Sequence, residues 1–152
     1  MYSEFKVKDL PKQLTLAVRT ITSVGELPEV IGKVYGDIIT YLAELGEDPA
    51  GMPFVIYYNL DMANLDIEIG FPVSKKFPDK GIIKSSELPS GKTASGMHHG
   101  PYEEMKSTYD ALTEWVENEG YEATGIAIEY YYNNPEEVSP EDVLTEIQFP
   151  LK

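Results

Sequence analysis

The sequence has 152 residues, of which 42% are hydrophobic and 25% charged, enough for one well-packed domain and too few for two ordinary ones. Its 26 acidic residues outnumber 12 basic ones, and the resulting formal charge of −14 opposes direct binding to nucleic acid. The lack of cysteine excludes disulfides, thiolate catalysis and cysteine-based zinc sites. No segment resembles an export signal or a membrane span, so the cytoplasm is the expected location.

The first half of the chain predicts a strand, a helix and two further strands. Apolar and more polar residues alternate over residues 14–18, as in a half-buried strand. The helix that follows has one apolar face, formed at steps of three and four by Leu27, Ile31, Val34, Ile38, Leu42 and Leu45. Gly46 is suited to end this helix. Residues 54–58 and 65–71 then predict strands, since the former is rich in β-branched and aromatic residues and the latter alternates.

The second half of the chain shows the same order of elements. The predicted segments are a strand at 93–99, a helix at about 102–118, and strands at 126–132 and 143–149. Residues 78–91 form the predicted linker between the halves, with a short edge strand at 81–84.

The two halves also match position by position. At the offset that separates Tyr35 from Tyr109, the matched pairs are Glu29 and Glu103, Tyr35 and Tyr109, Gly46 and Gly120, Gly51 and Gly125, and 57–59 and 131–133. After extra residues in the loop 134–140, residues 68–73 match 146–151. We interpret this pattern as a duplication within a single domain, residues 1–152, with repeats at about 5–75 and about 80–152.

The duplicated strand-helix-strand-strand pattern predicts an α+β fold. A helix with one apolar stripe and a sheet with one apolar face cover each other. Two such units give an antiparallel sheet with two helices on one face, a candidate ligand groove on the other and pseudo-twofold symmetry.

Strand alternation predicts which side chains face away from the helices. It puts Glu68 and Glu146, which the duplication matches, on the face opposite the helices, together with Tyr57 and Tyr131. On a flat sheet this face is an ordinary wet surface. If sheet twist folds it into a groove, carboxylates among phenol rings suit aromatic or cationic ligands.

Helix and turn residues leave further alternatives open. Tyr109 and Trp115 either pack in the core or reach the groove with their polar tips. His98 and His99 are adjacent in a strand and point to opposite faces, so we expect no metal site. No cofactor is expected, because the sequence contains neither a P-loop nor a dinucleotide fingerprint.

The motifs of the second half resemble those of a known family. His98-x-Gly100-Pro101-Tyr102 opens a helix that contains Tyr109 and Trp115, and the chain ends in Thr-Glu-Ile-Gln-Phe-Pro-Leu at 145–151. This combination resembles the GyrI-like domain, the effector-binding part of BmrR-type multidrug-responsive regulators and of some AraC-type activators. The resemblance extends from about Phe5 to Lys152. The DNA-binding domain of those regulators has no counterpart here, so a stand-alone form is expected.

The resemblance implies a function and a set of site residues. GyrI-like domains bind hydrophobic, often cationic molecules in a groove between the halves, using aromatic residues and a glutamate of the last strand, which Glu146 matches. The expected ligand-binding residues are therefore Glu146, Glu68, Tyr57, Tyr131, Tyr109 and Trp115. Two other activities of relatives remain open: hydrolysis of cyclopropane-containing genotoxins, with Glu146 as the catalytic acid–base group, and inhibition of a topoisomerase or toxin by an acidic protein.

Overall fold

The computed structural model describes residues 4–133 and 137–152. Two helices, α1 (Leu27–Glu44) and α2 (Met105–Asn118), lie among the strands of this part of the chain. In chain order the strands are β1 (Lys6–Leu10), β2 (Gln13–Thr22), β3 (Phe54–Tyr57), β4 (Leu65–Pro72), β5 (Lys84–Leu88), β6 (Gly91–His99), β7 (Ala127–Tyr131) and β8 (Leu144–Pro150). The predicted α+β class with antiparallel strand pairing is confirmed.

The chain divides into two compact units. The N-terminal unit spans Lys12–Pro89, and the C-terminal unit combines the segment up to Pro11 with Ser90–Lys152. The strands of the N-terminal unit lie in the order β3-β4-β2-β5, and those of the C-terminal unit in the order β1-β6-β8-β7. The segment before Pro11 therefore pairs with the second predicted repeat, through β1 and β6.

In the N-terminal unit, helix α1 packs on β4 and β2. The buried residues of its apolar face are Val34, Ile38, Tyr41 and Leu42. The ring of Tyr35 in α1 lies 5.1 Å from the ring of Phe71 in β4. Since side chains alternate along a strand, Glu68 points to the face of β4 that is opposite α1. Gly46 follows the helix with a φ of 71°, in the left-handed conformation expected of a helix-ending glycine.

In the C-terminal unit, helix α2 packs on β6. A single turn of 3-10 helix at Tyr102–Glu104 precedes it, so the helical segment begins where the sequence predicts. Its Tyr109 ring lies 5.7 Å from that of Phe149 in β8. The same alternation therefore puts Glu146 and Gln148 on the face of β8 that is opposite α2.

Two edge strands differ from the sequence-based expectation. No element is predicted before residue 14, yet residues 6–10 form β1. Its two lysines and one aspartate hide the strand pattern, because the strand is made by pairing with β6 rather than by local apolar residues. The edge strand predicted at 81–84 lies instead at Lys84–Leu88, because the backbone of Lys80 and Ile83 closes a tight turn there.

Part of one predicted loop lies outside the described residues, namely 134–136 of the loop 134–140 that holds the extra residues of the second half. The described end of this loop forms a 3-10 turn at Pro140–Asp142. Neither helix in the described part of the chain is long and apolar enough to cross a membrane.

Candidate functional site

The strand register overturns the prediction that Tyr57 and Tyr131 share the face of the glutamates. Tyr57 lies opposite Ile67, and Tyr131 lies opposite Thr145, so both tyrosines point to the helix-facing side. Glu129 lies on the same face of β7 as Tyr131, opposite Ile147, although a charged side chain is typical of the face away from the helices. Glu129 is in fact buried and accepts a hydrogen bond from a tyrosine of α2.

Glu146 is held by four hydrogen-bond donors on the face opposite α2. Its carboxylate Oε2 accepts from Lys8 Nζ at 3.0 Å, Ser95 Oγ at 2.8 Å and Gln148 Nε2 at 2.7 Å. The phenol of Tyr132 donates to the other oxygen, Oε1. These residues, the Glu146 cluster, come from β1, β6 and β8 and from the residue that follows β7. Glu146 itself is 5% exposed.

The donors of the Glu146 cluster keep its carboxylate ionised. Burial raises the pKa of Glu146, but hydrogen bonds from Tyr132, Gln148, Lys8 and Ser95 outweigh burial and lower that pKa to about 2. The charge of Glu146 also shifts the pKa of a neighbouring tyrosine. Burial, together with the charge of Glu146, raises the pKa of Tyr130 to about 12. At neutral pH the cluster therefore contains a carboxylate paired with Lys8 and the neutral phenol of Tyr132.

A cavity of about 660 Å³ opens beside the Glu146 cluster. The residues that line it are Glu4, Phe5, Lys6, Lys8, Ser95, Gly96, Met97, Tyr132 and Glu146. This volume falls in the range of roughly 300–1,000 Å³ that is usual for small-molecule sites. The lining carries two acidic and two basic side chains beside apolar ones, so the cavity has no net excess of charge.

Glu68, which the predicted duplication matches to Glu146, has fewer partners. Tyr58 donates to Oε1 of Glu68 at 2.8 Å. The other oxygen, Oε2, is buried without a hydrogen-bond partner among the described residues. Ala17 and Gly70 form the neighbouring cross-strand pair, where the C-terminal unit has Ser95 opposite Gln148. Two of the four donors that hold Glu146, those of Ser95 and Gln148, thus have no counterpart at the matching positions beside Glu68.

The helix-facing side of the C-terminal unit holds a second buried carboxylate, Glu129. Tyr131 donates to it at 2.7 Å, and Tyr109 of α2 donates to its other oxygen. The Tyr102 ring lies 5.9 Å from that of Tyr131 and is 42% exposed. We call these four residues the Glu129 cluster. It brings together Tyr109 and Tyr131, two of the residues predicted from sequence, around an acid that was not predicted.

The electrostatics of the Glu129 cluster differ from those of the Glu146 cluster. Among the described residues, no lysine, arginine or histidine forms an ion pair with Glu129. Burial raises the pKa of Glu129, and the hydrogen bonds from Tyr109 and Tyr131 lower it only in part, so the net shift is upward. Burial and the nearby Glu129 charge also raise the pKa of Tyr102. The cluster is therefore a desolvated acid beneath partly exposed phenol rings.

Trp115 and His98 have packing partners within the C-terminal unit. The Trp115 ring lies 6.1 Å from that of Phe5 in an edge-to-face arrangement. His98 is fully buried, with Nδ1 2.7 Å from Thr108 Oγ1 and Nε2 3.0 Å from the carbonyl oxygen of Pro101. His98 thus ties the end of β6 to the turn and helix that carry Tyr102 and Tyr109. Within residues 4–133 and 137–152, no group of three or more acidic and histidine side chains is placed to hold a metal ion.

The site residues predicted from the sequence do not include Glu129, Lys8 or Tyr132. One signal for Glu129 was present, because the predicted duplication matches it to Val55, an apolar residue that is fully buried in β3. A buried match argues that Glu129 also points inward. Lys8 carried no such signal, since β1 itself was not predicted. Tyr132 was not predicted because strand alternation was used to select the adjacent Tyr131.

Solved structures have the same fold at low sequence identity. The C-terminal domain of EcmrR is 22% identical, with a TM-score of 0.82, over 100% of this chain and 98% of that chain. A hydrolase from Listeria innocua is 17% identical, with a TM-score of 0.72, over 98% of this chain and 92% of that chain. The protein SAV2435, bound to tetraphenylphosphonium, is 10% identical, with a TM-score of 0.66, over 99% and 94% of the two chains.

This chain matches part of the full EcmrR chain, and it matches one family profile along nearly its whole length. The match to EcmrR in its complex with DNA covers 99% of this chain but 57% of the EcmrR chain. No curated protein matches this chain by sequence. A family profile described as the GyrI-like small-molecule-binding domain matches residues 3–152. Since that match spans nearly the whole sequence, this chain belongs to the family of GyrI-like small-molecule-binding domains.

Proposed function

We propose that this protein binds hydrophobic, cationic aromatic molecules, and that Glu129 supplies the negative charge that such a ligand requires. The observation that carries the proposal is a buried carboxylate with two phenol donors and no cationic side chain paired with it among the described residues. The likeness to SAV2435, which binds tetraphenylphosphonium, supports the same ligand class. Tyr102, Tyr109 and Tyr131 supply the aromatic surface.

The chemistry of the Glu129 cluster suits a large organic cation. Burying an unpaired carboxylate costs free energy, which a ligand cation offsets by pairing with the ionised form. Tyrosine rings attract cations through the negative faces of their π-systems, by about 0.5–2 kcal/mol for each ring. A diffuse cation such as a phosphonium is weakly hydrated, so it loses little hydration free energy when it enters such a site.

Glu146 is a weaker candidate for this role, although the family resemblance assigns it. Its charge is already compensated by Lys8, and Ser95 and Gln148 also donate to the oxygen that Lys8 contacts. A ligand cation at Glu146 has to compete with that internal ammonium. At Glu129 the same ligand competes with no lysine, arginine or histidine of the described residues, since none of them forms an ion pair there.

Two probes of the same shape and opposite charge test the proposal. We expect tetraphenylphosphonium to bind, and to bind more tightly as the pH rises through the raised pKa of Glu129, because only the ionised carboxylate attracts it. Titration calorimetry between about pH 4 and pH 8 measures both effects, with tetraphenylborate as the anionic control. Equal affinity for the two probes, or a pH-independent affinity for the cation, would contradict a carboxylate receptor.

Hydrolysis is a second candidate function, which the raised pKa of Glu129 favours. A carboxyl with a raised pKa keeps its proton to higher pH than an exposed carboxyl does and can donate it to a strained ring as water attacks, and Tyr109 and Tyr131 can hydrogen-bond the opening group. The likeness to the Listeria innocua hydrolase adds support. Glu146 suits this role less well, because a pKa of about 2 leaves it no proton to donate.

Incubation with a cyclopropane-containing electrophile, followed by mass spectrometry, tests the hydrolytic candidate. We expect an added water in the product, and the loss of that product when Glu129 is replaced by Gln. Unchanged compound after prolonged incubation with a folded protein that binds it would leave binding as the function and reject turnover.

A further inference from the structure

The cavity beside Glu146 is lined by Lys8, a residue of the edge strand β1. Lys8 lies opposite Thr93 of β6, and its ammonium reaches Oε2 of Glu146 at 3.0 Å. The lysine side chain is 33% exposed, whereas that of Glu146 is 6% exposed. The ion pair thus joins a buried carboxylate to a cation at the cavity wall.

Lys8 contributes charge rather than strand pairing. In the N-terminal unit the corresponding edge-strand position is Ser86, which lies opposite Thr15 as Lys8 lies opposite Thr93. A serine therefore fits an edge strand of the same register. Replacing Lys8 should leave β1 paired with β6, since that pairing uses backbone groups.

The ion pair between Lys8 and Glu146 determines which ligand charge is favourable in the cavity. Without Lys8, three neutral donors from Ser95, Gln148 and Tyr132 would still hold the carboxylate of Glu146 in its ionised form. The cavity would then contain an uncompensated negative charge beside the Tyr132 ring, which is 39% exposed. That combination attracts organic cations.

We propose that Lys8 is a specificity-determining residue, which neutralises Glu146 and so excludes organic cations from this cavity. The wild-type cavity instead takes uncharged aromatic molecules that carry a hydrogen-bond acceptor. The remaining N–H groups of Lys8 meet that acceptor, while Met97, Phe5 and Tyr132 provide apolar surface. The assignment concerns a second site and is independent of the proposed role of Glu129.

Removing the charge of Lys8 tests this assignment. Lys8→Gln keeps a donor for Glu146 without the positive charge, and Lys8→Met removes both. The Glu129→Gln background eliminates the first proposed cation site. In that background we expect either Lys8 variant to raise the affinity for tetraphenylphosphonium at least about tenfold, measured by titration calorimetry. Adding Glu146→Gln should abolish the gain.

Lys6 provides the matched control. It lies two residues away on the same strand and lines the same cavity, but Lys8 is the lysine that contacts Glu146. We expect Lys6→Gln to change the affinity less than twofold. Equal gains from Lys6→Gln and Lys8→Gln would overturn the proposal, since they would indicate general charge rather than a specific pair.

Two further outcomes separate a failure of the Lys8 proposal from a failure of the proposed function. The proposal is rejected if both Lys8 variants melt cooperatively, as followed by circular dichroism, yet bind tetraphenylphosphonium no better than their background. If Glu129→Gln leaves cation binding intact, the proposed function fails. The Lys8 comparison still stands in that case, because the gain must appear with Lys8→Gln and disappear with Glu146→Gln.

Discussion

Replacing Glu129 by Gln should weaken tetraphenylphosphonium binding by roughly 100-fold. The side chain keeps its shape, its amide oxygen can still accept from one of Tyr109 and Tyr131, and its NH2 group can donate to the phenol oxygen of the other, so the aromatic surface stays in place. What is lost is the pairing of a desolvated negative charge with the ligand cation. That loss is worth about 3 kcal/mol, or two orders of magnitude in affinity. Titration calorimetry at neutral pH measures it directly.

Glu146→Gln is the matched control for this substitution. It removes the other buried carboxylate among the described residues of the C-terminal unit, whose charge Lys8 already compensates. We expect its effect on cation affinity to stay within about threefold. A larger loss in Glu146→Gln than in Glu129→Gln would return the ligand-binding role to Glu146, as the family resemblance implies. Thermal unfolding of both variants checks that the folds are intact.

Replacing Gly70 by Ala should lower the free energy of unfolding by about 3 kcal/mol. Gly70 lies in β4, opposite Ala17 of β2. An added Cβ would collide with the backbone carbonyl oxygen of Leu16 and would lie 2.8 Å from Cβ of Ala17. The carbonyl belongs to a paired strand and cannot move without breaking the sheet register, so the overpacking cost reaches the upper end of its usual range. Urea unfolding measures the change.

Gly36→Ala provides the opposite expectation in the same unit. Gly36 lies within α1, and a Cβ built there meets nothing within 4 Å. Alanine restricts the unfolded chain and favours the helix, so we expect a gain of about 0.5–1 kcal/mol. For the first substitution, a Gly70→Ala variant as stable as the wild type would contradict the expected collision between β2 and β4 at Ala17.

Local patterns were sufficient for the main elements of the fold. The apolar stripe of α1 and the alternation in β4 predict those elements, because burying one face of a helix or strand leaves a periodic trace in the sequence. The same patterns fix the orientation of Glu68 and Glu146 away from the helices. The family motifs also lie in contiguous segments, and the family assignment was therefore available from the sequence.

Only the tertiary structure decided which carboxylate and which tyrosines form each cluster. Which side chains of β7 face the helix depends on whether Glu129 is buried or exposed to solvent. A five-residue strand with tyrosines on both faces does not show this in its sequence. Lys8 reaches Glu146 through a strand pairing between residues far apart in the chain. Such non-local pairing leaves no periodic signal, because the partner that satisfies each charge is chosen by packing rather than by sequence neighbours.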